Sequence, residues 1–109
     1  MWATLGGPAL VRVIGAFDGN PLTLLSGVNV SLITRDGPGK YRIFFTEPMP
    51  DYGYSIAGNC NSAADSGASA NTAFMERKGL RTLSSVGVLC RTSSGTDQDR
   101  DFISFMIAR

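Results

Sequence analysis

Residues 40–46 (KYRIFFT) alternate strictly: Tyr41, Ile43 and Phe45 fall on one face, Lys40 and Arg42 on the other. A period of two marks a half-buried β-strand. Phe44 interrupts the polar set, so the second face is expected to be partly covered. Upstream, residues 28–35 alternate in the same way, with Val28, Val30 and Leu32 on one face and Asn29 and Ser31 on the other. Between the two runs lies Asp36-Gly37-Pro38-Gly39, whose turn chemistry predicts a hairpin.

The same pattern extends along the chain. Residues 10–17 (LVRVIGAF) read as a first strand, closed by the turn signal Asp18-Gly19-Asn20-Pro21. Residues 22–27 read as a short connection despite Leu22, Leu24 and Leu25. Two prolines in Glu47-Pro48-Met49-Pro50 must leave the sheet, because proline cannot donate to a ladder. Residues 52–60 (YGYSIAGNC) alternate through Tyr54, Ile56 and Cys60. Residues 61–71 (NSAADSGASAN) are small and polar and read as a long exposed loop. Residues 72–75 are expected to re-enter as an edge strand, before a turn at Arg77-Lys78-Gly79. Val86, Val88 and Cys90 share one face of a strand over residues 83–91. The run 101–108 reads as apolar on both faces, with Ile103, Phe105 and Ile107 alternating with Phe102, Ser104 and Met106. Such a strand is central, or is covered by a neighbouring subunit.

The expectation is therefore all-β: a compact antiparallel β-sandwich, jelly-roll-like, of about six to eight strands. Composition agrees, since 13 glycines in 109 residues suit a turn-rich β domain rather than a helical one. The length predicts one domain over residues 1–109.

Charge narrows the function. The net charge is +1, and the basic residues are scattered singly apart from Arg77-Lys78. A nucleic-acid binder is expected to cluster them on one face, so no nucleic-acid partner is predicted. No apolar run reaches the roughly twenty residues that span a membrane, and the first residues lack the basic start and apolar body of a signal peptide. Synthesis in a cytoplasm without membrane insertion is the expectation.

Catalytic chemistry is poorly supplied. The chain has no histidine, which removes Ser-His and Cys-His nucleophilic sites. Lys40 and Lys78 stand at turns, where lysine is normally solvated. Asp97, Asp99 and Asp101 are spaced like the start of a calcium loop, but no glycine follows at the turn position and no glutamate closes it. They read as a solvated polar turn. Cys60 and Cys90 are too few for a zinc site. They are expected as two buried thiols packed as small hydrophobes, with a strand-tying disulfide as the alternative. No enzyme activity, metal or cofactor is predicted.

One longer pattern covers almost the whole chain. It runs Trp2 … Val11-Arg12-Val13-Ile14 … Gly27-Val28-Asn29-Val30-Ser31 … Thr34-Arg35-Asp36-Gly37-x-Gly39-x-Tyr41 … Phe45 … Met49-Pro50-Asp51-Tyr52-x-Tyr54 … Asp101-Phe102-Ile103-Ser104. It resembles the C-terminal tip or knob domain of tailed-bacteriophage tail fibres, most specifically between Gly27 and Tyr54. The resemblance implies a virion structural protein of the phage tail, made in the bacterial host cytoplasm. It implies a homotrimer joined to other tail proteins, whose free-end loops attach to a host surface glycan or surface protein. A purely structural trimerisation or folding knob, or a capsid decoration, is the alternative.

The chain departs from that pattern over residues 18–26 and 61–71, and loops vary where partners differ. The receptor-binding candidates are accordingly Asp18, Asn20, Asn61, Asp65, Ser69 and Asn71, with Tyr52 as an aromatic outside the best strands. Trp2, Phe44, Phe102 and Met106 are the trimer-interface candidates.

Overall fold

The computed structural model describes residues 10–60, 72–92 and 94–109. The candidates Trp2, Asn61, Asp65, Ser69 and Asn71 lie outside the described residues. The described residues form eight strands: β1 (Val11–Gly19), β2 (Leu22–Val28), β3 (Val30–Gly37), β4 (Lys40–Phe45), β5 (Ser55–Asn59), β6 (Thr72–Glu76), β7 (Ser85–Thr92) and β8 (Ile103–Ala108). They pair antiparallel throughout, in two four-stranded sheets of order β2-β1-β8-β5 and β3-β4-β7-β6. The expected antiparallel sandwich is the observed fold.

The core follows the alternation. Val13 and Phe17 of β1 and Ile103, Phe105 and Ile107 of β8 meet Ile33, Tyr41, Ile43, Phe45, Val86, Val88 and Cys90 from the other sheet. Phe17 stands edge-on to Tyr41, with ring centroids 5.0 Å apart. Each such side chain, fully buried, is worth about 1.5–3 kcal/mol. β8 lies inside its sheet, between β1 and β5; its inner face, Ile103, Phe105 and Ile107, is buried, while Met106 on its outer face and Phe102 just before it are exposed.

Three expectations are corrected. Residues 22–27 are not a connection: they belong to β2, which pairs with β1 from Ile14↔Val28 to Gly19↔Leu22. Their apolar residues misled because every residue of β2 is exposed, so burial never imposes a period on it. The run 28–35 is not one alternating strand. Asn29 takes φ 60° and separates β2 from β3, and the register slips between Val30 and Leu32. Ile33 therefore points inward while Val28 and Leu32 are exposed. The Asn29 side chain fixes this crossover: its amide donates to the Glu47 carbonyl at 3.1 Å, and its Oδ1 accepts from the Glu47 N–H at 2.7 Å.

The cysteines are the third correction. Cys60 and Cys90 are bonded, with Cα atoms 6.1 Å apart. The bridge joins the end of β5, an edge of one sheet, to β7 in the other. Spacing along the chain does not reveal this, because the two residues approach only once the sheets stack.

Candidate functional site

The strand directions sort the connections. The β1–β2 turn, the β3–β4 turn and the β7–β8 loop meet at one end of the sandwich; Cys60 and Thr72, which close β5 and open β6, stand there too. Leu10 and Arg109 lie at the opposite end, hydrogen-bonded to each other through both backbone groups.

Asp99, in the β7–β8 loop, knits the loop end together. Its Oδ1 accepts from the Tyr41 hydroxyl at 2.5 Å and from the Gly39 N–H at 2.8 Å. Its Oδ2 accepts from Arg35 Nη2 at 2.8 Å and from Asn20 Nδ2 at 3.4 Å. One carboxylate thus ties three connections to a core tyrosine. Burial opposes its ionisation, but the hydrogen bonds from Arg35, Tyr41 and Gly39 outweigh it and hold the pKa down at about 2. Burial and the neighbouring carboxylate push the Tyr41 hydroxyl far above the usual tyrosine range.

Backbone contacts complete the junction. Gly39 takes φ 69°, its carbonyl accepts from the Cys90 N–H at 2.8 Å, and the Gln98 N–H donates to the Cys90 carbonyl. Gly19 leaves room for the Tyr41 hydroxyl, which a Cβ there would strike. Asp97 is paired with Arg91 at 2.8 Å and with Lys40 at 3.8 Å, and the Arg91 hydrogen bond leads in lowering its pKa. Asp97 and Asp99 are therefore structural anchors, not members of a solvated turn. Among the described residues no group of carboxylates or cysteines converges as a metal site.

Among the described residues, the rim of this end is largely polar and carries an exposed ring. Asp18 Oδ1 accepts from the Phe102 N–H at 3.0 Å, while Asn20 and Arg35 at the same end both reach Asp99. Phe102 takes φ 51° just before β8 and is 62% exposed. The arrangement supplies hydrogen-bond donors and acceptors around an exposed aromatic face, a combination that suits hydroxyl-rich or peptide ligands. Asp97 and Asp99, both held ionised by arginines, are not proton donors at neutral pH.

The other candidates lie elsewhere. Tyr52 is 61% exposed but sits at the opposite end, in the 46–54 connection. There Arg81 donates to the Tyr52 and Tyr54 carbonyls, and its guanidinium stacks 4.1 Å from the Tyr54 ring centroid. Arg109 grips Asp51 with two hydrogen bonds of 2.7 and 2.8 Å. Met49 and Tyr54 are buried on either side of this corner, while Pro50, Asp51 and Tyr52 are exposed.

The three described interface candidates do not share a surface. Phe44 is half-buried on the outside of the β3-β4-β7-β6 sheet, Met106 lies on the outside of the other sheet, and Phe102 stands at the loop end. Sequence reasoning missed Arg35, Tyr41 and Asp99 as one cluster. Tyr41 gave no sign because its alternation already placed it in the core.

No protein-family model, curated protein or solved structure matches the chain.

Proposed function

We propose that the chain is a binding module, the tip domain of a phage tail fibre, and that its loop end attaches to a host surface glycan or surface protein. The observation that carries this reading is the convergence of three connections on Asp99, with exposed Phe102 amid Asp18, Asn20 and Arg35, at the end away from Leu10 and Arg109. Rigid scaffolds presenting loops at one end are a common design for recognition. The connection is braced to the core through Tyr41, so a ligand meets an ordered surface and little ordering entropy is lost on binding. The proposed partners are the host surface ligand, other virion tail proteins and further copies of the chain. No catalytic step is part of the reading.

The test is binding of the purified chain to arrayed bacterial surface polysaccharides and to outer-membrane fractions. Phe102→Ala and Asn20→Ala are expected to lower affinity at least tenfold while leaving the thermal unfolding midpoint within a few degrees. Absence of binding to any of these surfaces, or binding indifferent to both substitutions, overturns the receptor role and leaves the structural knob.

A further inference from the structure

The outside of the β2-β1-β8-β5 sheet carries two adjoining rows set by the strand register. Val28, Ile14, Met106 and Ala57 pair side by side across all four strands, and Ser26, Ala16, Ser104 and Asn59 form the next row. The first row stands proud: Val28 is 64% exposed, Ile14 45% and Met106 48%. The second is of smaller side chains and lines a trough of about 370 Å³, which Ile14, Met106 and Ala57 of the first row also border. None of the eight side chains is ionisable. The outside of the other sheet differs, carrying the Asp36 ion pairs to Arg42 and Arg77 and the Asp97 pairs to Lys40 and Arg91.

The ends of the patch are charged, with opposite signs. Along β1 the odd positions from Val13 to Gly19 are buried and the even ones are not, so Ile14, Ala16 and Asp18 share the outer face; Arg12 precedes them at the bulge between Val11 and Val13, half-buried, with its Nε donating to the Arg109 carbonyl at 2.9 Å. In order they read cationic, large, small and anionic. A two-fold axis lying between the two rows and parallel to them turns this order onto its reverse. The ridge of one copy then faces the trough of the other, and Arg12 of each faces Asp18 of the other. A surface complementary to itself in both size and charge is what an isologous contact requires.

We propose that two copies of this chain associate face to face through this sheet, ridge into trough, closed at both ends by Arg12–Asp18 pairs. The contact lies on the sheet face rather than across the loop end, and the two surfaces share Asp18. Its symmetry is two-fold, unlike the threefold assembly implied by the tail-fibre resemblance. Four strands by about six residues cover roughly 400 Å² per copy, about half the usual share of a stable interface, so the dimer forms only at high protein concentration.

Sedimentation velocity of the full chain across a concentration series tests this. The wild type is expected to pass from monomer to dimer. Arg12→Asp and Asp18→Arg are each expected to weaken association at least tenfold by setting like charges opposite one another. A mixture of the two variants is expected to form mixed dimers, because the added carboxylates of one then face the added guanidiniums of the other. Ser104→Arg, on the exposed strand face, blocks the trough without touching the core and is expected to abolish pairing; it carries the test if either charge variant fails to fold. A wild type that stays monomeric or forms trimers overturns the proposal. So does a mixture that associates no better than its components, or a Ser104→Arg variant that pairs like the wild type.

Discussion

Tyr41 and Asp99 join the centre of the molecule to its rim: a ring with no exposed surface donates its hydroxyl to a loop carboxylate at 2.5 Å. The bond passes through the gap left by Gly19 and the β3–β4 turn. Tyr41→Phe keeps the ring and deletes the donor, leaving Asp99 its contacts with Arg35 and Gly39. A loss of about 1–2 kcal/mol is expected from urea unfolding. Asp99→Ala strands a buried hydroxyl and the Gly39 N–H together, so about 2–3 kcal/mol is expected. The double variant should cost less than the sum, because both substitutions remove the same bond.

Acid should weaken the fold through the same carboxylate. Asp99 titrates at about 2 when folded and within the usual carboxylate range when unfolded, so the unfolded chain binds more protons between the two. Its contribution is complete above about pH 5 and is lost as pH falls from about 4 towards 2. Asp36, Asp51 and Asp97 are also held low, in each case first by an arginine hydrogen bond, and they act in the same direction. The urea midpoint measured from pH 7 to pH 2 should fall across that window. Asp99→Asn should make the fall shallower without removing it.

The Cys60–Cys90 bridge spans 30 residues of sequence. A loop of that length removes enough unfolded-state entropy to stabilise the fold by about 3–4 kcal/mol on the chain-entropy account. For a domain of this size that corresponds to a fall in Tm of very roughly 12–30 °C on reduction or in Cys60→Ser/Cys90→Ser. Calorimetry with and without reductant measures it, and a shift of only a degree or two would show that sheet stacking alone holds these strands.

Two glycines with positive φ separate backbone strain from crowding. Gly79 takes φ 81° with nothing near its missing Cβ, so Gly79→Ala meets strain alone and should cost about 1 kcal/mol. Gly39 takes φ 69°, and a Cβ there would approach Gln98 N at 2.5 Å and the Cys90 carbonyl at 2.7 Å, both backbone atoms. Gly39→Ala should therefore cost several times as much and pull the β3–β4 turn away from the β7–β8 loop. Unfolding midpoints of the two variants, compared side by side, make the check.

The parts that were legible in the sequence are those where burial imposes a period. Tyr41, Ile43 and Phe45 alternate because one face of their strand meets the core, and Val86, Val88 and Cys90 keep the same period in a strand buried on both faces. β2 escaped recognition because it overhangs the sandwich, with both faces in solvent and no period to read. The slip after Val30 escaped because a single left-handed residue, Asn29, resets the phase without changing the composition. At the candidate site, Asp18 and Asn20 were legible as turn residues and do lie at the loop end. Asp99 was legible only as one of three similar aspartates. Its role depends on Arg35, Gly39 and Tyr41, which are about sixty positions away.

Leu10 and Arg109 leave the sandwich side by side on neighbouring antiparallel strands. Tension applied between those two points would unzip β1 from β8, one pair of hydrogen bonds after another. Tension between either point and the Asp99 end runs along the strands instead, and must shear a whole ladder at once. The molecule is thus mechanically anisotropic: resistance to force depends on where the force is applied, and is greatest along the line from Arg109 to the loops.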